Sequence, residues 1–206
     1  MKRSVSLLRT FARYVPAEAV QYCYQLWLEH DFQLKLSPHR QSKLGDYRYL
    51  ATDGGKHQIS VNGTLTPYAF LITYLHEVAH LVTFSQYKRK VKPHGPQWKK
   101  VFRELAQPVL HEKIFPPAVL GALSRYLANP KASSCSDLHL MSALQAEDPD
   151  PSGKLLLHMP EGISFKLNGR IFIKGKMRRT RVICEEPATR KKYLVPVQAV
   201  VEVLHY

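Results

Sequence analysis

The 206-residue sequence predicts an α+β protein in which a small antiparallel sheet and several helices precede a small C-terminal β-module. Residues 32–62 show strand signals, with alternating apolar residues and a glycine-containing turn. Residues 67–129 instead carry helix signals, with prolines at the positions where helices begin. From Leu155 onward the sequence is again rich in strand-forming residues. These three observations separate a mixed first part from an all-β second part.

The first quarter of the chain predicts a helix followed by the sheet. The N-terminus is basic, and its arginines interrupt any signal-peptide core, so we expect a basic arm rather than a transit peptide. Residues 18–31, EAVQYCYQLWLEHD, have apolar residues at helical spacing and predict an amphipathic helix. FQLKLS (32–37) alternates as a half-buried strand does, and residues 43–63 predict two strands joined at Asp53-Gly54-Gly55.

Three helices are predicted next. Thr66 is a good N-cap and Pro67 a good first helical residue, so one long helix is expected from Pro67 to about Tyr87. A second helix is expected to start near Pro96, and residues 116–129 predict a third.

The predicted domain limits follow from these changes between strand signals and helix signals along the sequence. Residues 1–130 form the first domain, residues 131–154 a linker with room for a short helix, and residues 155–206 a basic β-rich module. Within that module, Asn168-Gly169 between two alternating runs is a strong hairpin signal.

The charge and cysteine content indicate which kinds of partner and which compartment to expect. The chain has 30 Lys+Arg against 16 Asp+Glu, a surplus that attracts polyanions such as nucleic acid. Its three cysteines lie far apart and form no CxxC pair, which favours a reducing compartment and excludes a four-cysteine zinc ribbon. No apolar run approaches a membrane span. We therefore predict a cytoplasmic protein, nucleoid-associated if bacterial, with no membrane partner.

The long helix contains the sequence His76-Glu77-Val78-Ala79-His80. Two histidines at i and i+4 lie one above the other on a helix and can share one metal ion. Glu77 is rotated by about 100° from His76, so it is placed as a general base rather than a ligand. The histidines border the buried stripe, with Glu77 farther out. The alternative is a histidine pair without a metal.

A catalytic zinc site needs a third protein ligand. The downstream candidates are His94, His111 and His139, with Glu104 as the substitute if His94 does not serve. His94 lies in a tight turn before the second helix, which can pack antiparallel to the first and carry the turn over the ion.

Residues LHEVAHLVTF and VKPHGPQWKKVF together resemble the SprT-like zinc metalloprotease domain family (SprT/Spartan-related), over roughly residues 10–115. The resemblance implies a zincin-like core over residues 1–130. It also implies one Zn²⁺ held by His76, His80 and His94, with Glu77 as the catalytic acid and base. The family includes proteases that degrade proteins crosslinked to DNA. The C-terminal module departs from the cysteine-rich ribbon of many members, so a second zinc is not predicted.

Two basic runs predict sequence-independent phosphate contacts, with a solvated edge as the alternative for each. Tyr87 and Phe172 lie nearby and can stack on unpaired bases. The runs consist of Lys88, Arg89, Lys90 and Lys92, and of Lys174, Lys176, Arg178, Arg179 and Arg181.

The sequence therefore predicts a zinc-dependent endopeptidase that is associated with DNA and acts on DNA-bound or DNA-crosslinked proteins. One alternative is a non-catalytic, zinc-containing DNA-binding adaptor, although such a protein has no use for Glu77. The other is a zinc hydrolase of small substrates with an incidental basic surface.

Overall fold

The computed structural model describes residues 2–38, 44–52, 54–88, 90–131, 137–148, 153–178, 180–197 and 199–204. It has two compact units, Met1–Leu144 and Gln145–Tyr206. The fold is α+β, as predicted. The helices are α1 (Lys2–Tyr14), α2 (Val20–His30), α3 (Pro67–Tyr87), α4 (Pro96–Ala106), α5 (Pro117–Ala128) and α6 (Leu138–Ala146). The strands are β1 (Phe32–Ser37), β2 (Gly45–Leu50), β3 (Lys56–Asn62), β4 (Lys154–Leu155), β5 (Ser164–Leu167), β6 (Arg170–Arg178), β7 (Arg181–Glu186), β8 (Lys191–Pro196) and β9 (Val200–Val203).

The sheet of the first unit has the order β1-β3-β2 and is mixed. β2 pairs with β3 in the antiparallel sense, whereas β1 pairs with β3 in parallel, from Phe32↔His57 to Ser37↔Asn62. The prediction of an antiparallel sheet is therefore wrong for one of these pairs. The chain reverses direction after β1 and again after β2, so β3 runs in the direction of β1. Because β3 lies between the other two strands, that shared direction produces a parallel ladder.

The N-terminal segment is a helix, so the prediction of an arm is wrong. Phe11 is fully buried, and its ring lies edge-on to Tyr74 of α3 at a centroid distance of 5.2 Å. Leu7, one turn earlier, packs partly buried against the same core. The arginines of this segment are compatible with a helix that buries one face.

Helix α3 is the central element of the first unit and has the predicted bounds. Thr66 precedes it in an extended conformation, and its carbonyl accepts a hydrogen bond from the Phe70 N–H at 2.8 Å. β2 and β3 pack on one side of α3, whereas α4 packs on another. Every residue from Phe70 to Ala79 is consequently buried.

The second unit is a six-stranded antiparallel sheet of order β4-β9-β5-β6-β7-β8. Asn168 and Gly169 join β5 to β6 with φ of 53° and 77°, as a two-residue hairpin requires. Its buried side chains include Phe165, Val182 and Cys184. Helix α6 is the short helix for which residues 131–154 had room. The domain limits 1–130, 131–154 and 155–206 remain a prediction.

The structure also bears on the cysteines and on the absence of a predicted membrane span. Cys23 and Cys184 are free and buried, whereas Cys135 lies outside the described residues. Within the described ranges, none of the helices has the length and apolar character that a membrane crossing requires.

Candidate metal centre

Three histidine side chains converge beside α3. The Nε2 atom of His80 lies 3.2 Å from that of His76 and 2.9 Å from that of His94, and the Nε2 atoms of His94 and His76 are 3.2 Å apart. Two imidazole nitrogens bound to one tetrahedral zinc ion, at about 2.0–2.1 Å each, are separated by about 3.3 Å. The spacing of the three nitrogens is therefore close to that of ligands sharing one ion, and the three residues could hold a metal.

Hydrogen bonding among the three rings cannot account for this convergence. A ring nitrogen either carries a proton and donates or lacks one and accepts. Among three nitrogens in mutual contact, at least two have the same role, so at least one contact is unfavourable. A metal ion removes the conflict, because all three lone pairs can face it at once. The residues therefore fit a metal.

Burial keeps these imidazoles neutral, as metal ligands must be. Burial is the main cause that lowers the pKa of His76 to about 2 and of His80 to about 3. Repulsion from His80 and His94 contributes to the lowered pKa of His76, and repulsion from His94 to that of His80. Burial also lowers the pKa of His94. The lone pairs are thus available at neutral pH.

The turn before α4 sets the position of His94. The Gly95 N–H donates to the Lys92 carbonyl at 3.0 Å, and Pro96 is the first residue of α4. A side chain at position 95 would place its Cβ 2.9 Å from the Lys92 carbonyl oxygen, so the turn requires glycine there. His94 itself has φ of 57°, in the left-handed region that few side chains adopt. The His-Gly-Pro sequence therefore shapes the turn as well as supplying a ligand candidate.

Trp98 forms a wall of the site, although the sequence indicated this residue only as part of a motif. It is fully buried, and its ring centroid lies 4.6 Å from His76, 5.2 Å from His80 and 4.7 Å from His94. Phe102, one turn further along α4, stacks on Trp98 at 5.1 Å. Helix α4 thus contributes an aromatic surface that locks the ligand rings and excludes water from one side of them. Its i, i+4 aromatic spacing was the available sequence signal.

Glu77 is more enclosed than the helical phase predicted. Its side chain was expected farther from the buried stripe than the histidines, yet it is only 6% exposed. The reason is that α3 is covered on both sides, by α4 near the histidines and by β2 near Glu77. The carboxylate and the three imidazoles therefore belong to one enclosed region of α3.

The other ligand candidates lie elsewhere. Glu104 is exposed on α4 and pairs with Lys100 at 3.8 Å. His111 and His139 are also exposed, and neither belongs to the cluster of His76, His80 and His94. His94, in the turn before α4, is therefore the third residue of the cluster, and none of these three residues belongs to it.

The first basic run follows the end of α3. Lys88, Lys90 and Lys92 are exposed, whereas Arg89 lies outside the described residues. The Lys88 Nζ lies over the Phe84 ring at 5.7 Å, and Tyr49 packs against the same ring at 4.8 Å. Since Phe84 is one turn beyond His80, this surface continues the helix face of the metal centre. Tyr87 is 39% exposed and available for stacking.

The second basic run divides into two kinds of residue. Lys176, Arg178 and Arg181 are exposed, and Arg179 lies outside the described residues. Lys174 is only 5% exposed; its Nζ donates to the Leu156 carbonyl at 2.7 Å and also to the Met159 carbonyl. The structure thus gives Lys174 a structural role in place of the predicted phosphate contact. Phe172 is likewise buried, at 4% exposure, and does not present a ring for base stacking.

Lys174→Met is expected to lower the free energy of unfolding of the second unit by about 1–3 kcal/mol, because buried carbonyls lose their donor. Hydrogen exchange of β6 and β7 amides measures the change within this unit. Lys176→Met, two residues away and exposed, is the matched control and should change stability by about 0.5 kcal/mol or less. Equal protection in the two variants would contradict the structural role of Lys174.

Three imidazoles, two from an HExxH helix and one from a His-Gly-Pro turn, define the first unit as a domain with a candidate metal centre. Residues 17–117 match the SprT-like family, so the first unit contains a SprT-like domain, as the motifs predicted. The match contains the whole triad, Glu77 and the first basic run, and it ends before the second unit. Searches of curated proteins and of solved structures find no significant match to the chain.

Proposed function

We propose that the protein is a zinc-dependent endopeptidase that acts on DNA-bound or DNA-crosslinked proteins. The observation that carries the proposal is the convergence of three Nε2 atoms within 3.2 Å beside a glutamate of the same helix, in an SprT-like domain. A structural zinc site normally has four protein ligands, whereas a catalytic site has three and an open position. Among the described residues, the cluster offers three.

The three imidazoles would hold the ion, and a nitrogen-only ligand set suits zinc. A bound zinc ion supplies Lewis acidity, which polarises a peptide carbonyl and makes water nucleophilic near neutral pH. Glu77 accepts the proton of the attacking water and returns it to the leaving amine. The Trp98 wall keeps the ligand rings in place and lowers the local dielectric, which strengthens the electrostatic interactions in the site. A non-catalytic adaptor would need none of this arrangement around Glu77.

Charge supports the DNA association. The net charge is +14, and Lys88, Lys90 and Lys92 are exposed immediately after the helix that carries the metal centre. Phosphate contacts need only such an array, and neighbouring exposed aromatic rings such as Tyr87 add stacking on unpaired bases. DNA held by this run would lie close to the site where an attached protein is cleaved.

The test is cleavage of a protein covalently coupled to a single-stranded oligonucleotide, compared with the same protein uncoupled. We expect cleavage to require zinc and to be faster for the coupled substrate. Replacing Lys88, Lys90 and Lys92 together by Gln should weaken DNA binding and reduce the salt slope of log K by about 0.7 per lost contact. The effect on the uncoupled protein should be small.

The matched control replaces Lys35, Lys113 and Lys131, which are exposed on the same unit, by Gln. It removes equal charge and should leave the preference for coupled substrate intact. Equal losses in the two triple variants would contradict a DNA role for the first basic run. Zinc and DNA binding without any cleavage would favour the adaptor instead. Cleavage of small substrates alone would favour a small-substrate hydrolase.

A further inference from the structure

The backbone at the start of β2 lies directly against Glu77. A Cβ built on Gly45 would lie 2.7 Å from the Glu77 Oε1 and 2.8 Å from its Cγ. It would also lie 2.8 Å from Cγ2 of Thr73, one turn earlier on α3. Non-bonded carbon atoms do not approach so closely, so a side chain at position 45 would require these neighbouring atoms to shift.

Space, and not backbone conformation, is what requires glycine here. Gly54, Gly162 and Gly169 have positive φ and open space around the position of a Cβ. Gly45 is the opposite case, because its φ lies outside the left-handed region while its Cβ position is filled. A glycine of this kind marks a close approach of the backbone to a side chain.

The backbone at Gly45 and the side chain of Thr73, which both lie against Glu77, are held by hydrogen bonds. Gly45 pairs with Val61 of the central strand β3, and the carbonyl of the preceding Leu44 accepts from the Asn62 N–H at 2.8 Å. On the helix, the Thr73 Oγ1 donates to the Ala69 carbonyl at 2.8 Å, which holds the Thr73 methyl in place. Of the two side chains that contact Gly45, that of Glu77 is the longer and has more rotatable bonds than that of Thr73.

We propose that Gly45 is a positioning residue, which confines the Glu77 carboxylate to the rotamer that serves the reaction. The inference rests on the proposed function of Glu77 as general base. A methyl group at position 45 would displace the Glu77 side chain together with the Thr73 methyl, and the carboxylate would leave this rotamer. A displacement of about 1 Å in a catalytic group can cost about 100-fold in rate.

Gly45→Ala tests the inference. We expect kcat for the coupled substrate to fall by about 100-fold, with KM changed by less than about twofold and zinc content unchanged. The second readout needs no activity. In zinc-free protein, the ¹³C resonance of the Glu77 carboxyl, assigned by its loss in Glu77→Gln, should shift in Gly45→Ala.

Gly63→Ala is the matched control. Gly63 follows β3 in the same unit, and no atom lies closer than 3.7 Å to the position of its Cβ. It should keep wild-type kcat and an unshifted Glu77 resonance. An unshifted resonance in Gly45→Ala would overturn the inference, as would wild-type kcat. So would a loss of zinc or of folded protein that matches the loss of activity. If the wild type cleaves no substrate, the proposed function fails while the resonance still decides whether Gly45 positions Glu77.

Discussion

Glu77→Gln is expected to lower kcat for protein cleavage by about 100- to 10,000-fold, the usual contribution of a general base. The amide has the size and shape of the carboxylate but cannot accept the proton of the attacking water. Because Glu77 is not one of the three ligand candidates, the variant should bind zinc as the wild type does. Turnover of a labelled substrate and the zinc content of the purified protein provide the measurement.

Two controls sharpen this prediction. Glu104→Gln makes the same change at an exposed residue of α4 and should keep wild-type activity. Affinity for single-stranded DNA should be equal in wild type and Glu77→Gln, because the basic runs are untouched. Full activity of Glu77→Gln would exclude Glu77 as the base. Loss of zinc from this variant would mean that Glu77 supports the metal centre instead.

His94→Ala is expected to weaken zinc binding by more than about 100-fold. Removal of an outer-shell partner of a metal ligand already costs about 10- to 100-fold, and a ligand contributes more. Competition with a zinc-binding fluorescent chelator gives the affinity. The variant should lose cleavage in parallel, because two imidazoles on α3 retain the ion poorly.

His111→Ala is the control for His94→Ala, since His111 is exposed and lies outside the triad. It should bind zinc and cleave substrate as the wild type does. Wild-type zinc affinity in His94→Ala would exclude His94 as a ligand, and the third ligand would then have to be sought elsewhere in the chain.

Local sequence signals predicted α3 well and placed His94 among the candidates that could join His76 and His80. Thr66-Pro67 marks the start of α3, HExxH places two histidines on one face, and the His-Gly-Pro turn precedes a helix that can pack back on α3. Each of these signals acts over a few residues. The resemblance to the SprT-like family combined them, and the family match agrees with it.

Non-local packing explains what the sequence did not predict. The parallel pairing of β1 with β3 arises because β3, rather than β2, lies beside β1, and local signals do not specify this order. The burial of Glu77 depends on β2, which is distant in sequence. Lys174 is an exception, because a local signal could have predicted its burial. It is two residues from Phe172 in a strand, so both side chains face the core, but its positive charge suggested a surface residue.

Because of its position, Trp98 provides a fluorescence signal that reports on the metal centre. The chain has two tryptophans, and Trp27 is engaged elsewhere, with its Nε1–H donating to the Phe32 carbonyl at 2.8 Å. Trp98, in contrast, contacts the rings of all three histidines. Indole emission responds to protonated imidazole and to paramagnetic ions at such distances, so intrinsic fluorescence can follow loading with Co²⁺ or Cu²⁺ without a label. Trp98→Phe then isolates the constant background of Trp27, and the difference spectrum belongs to the metal centre.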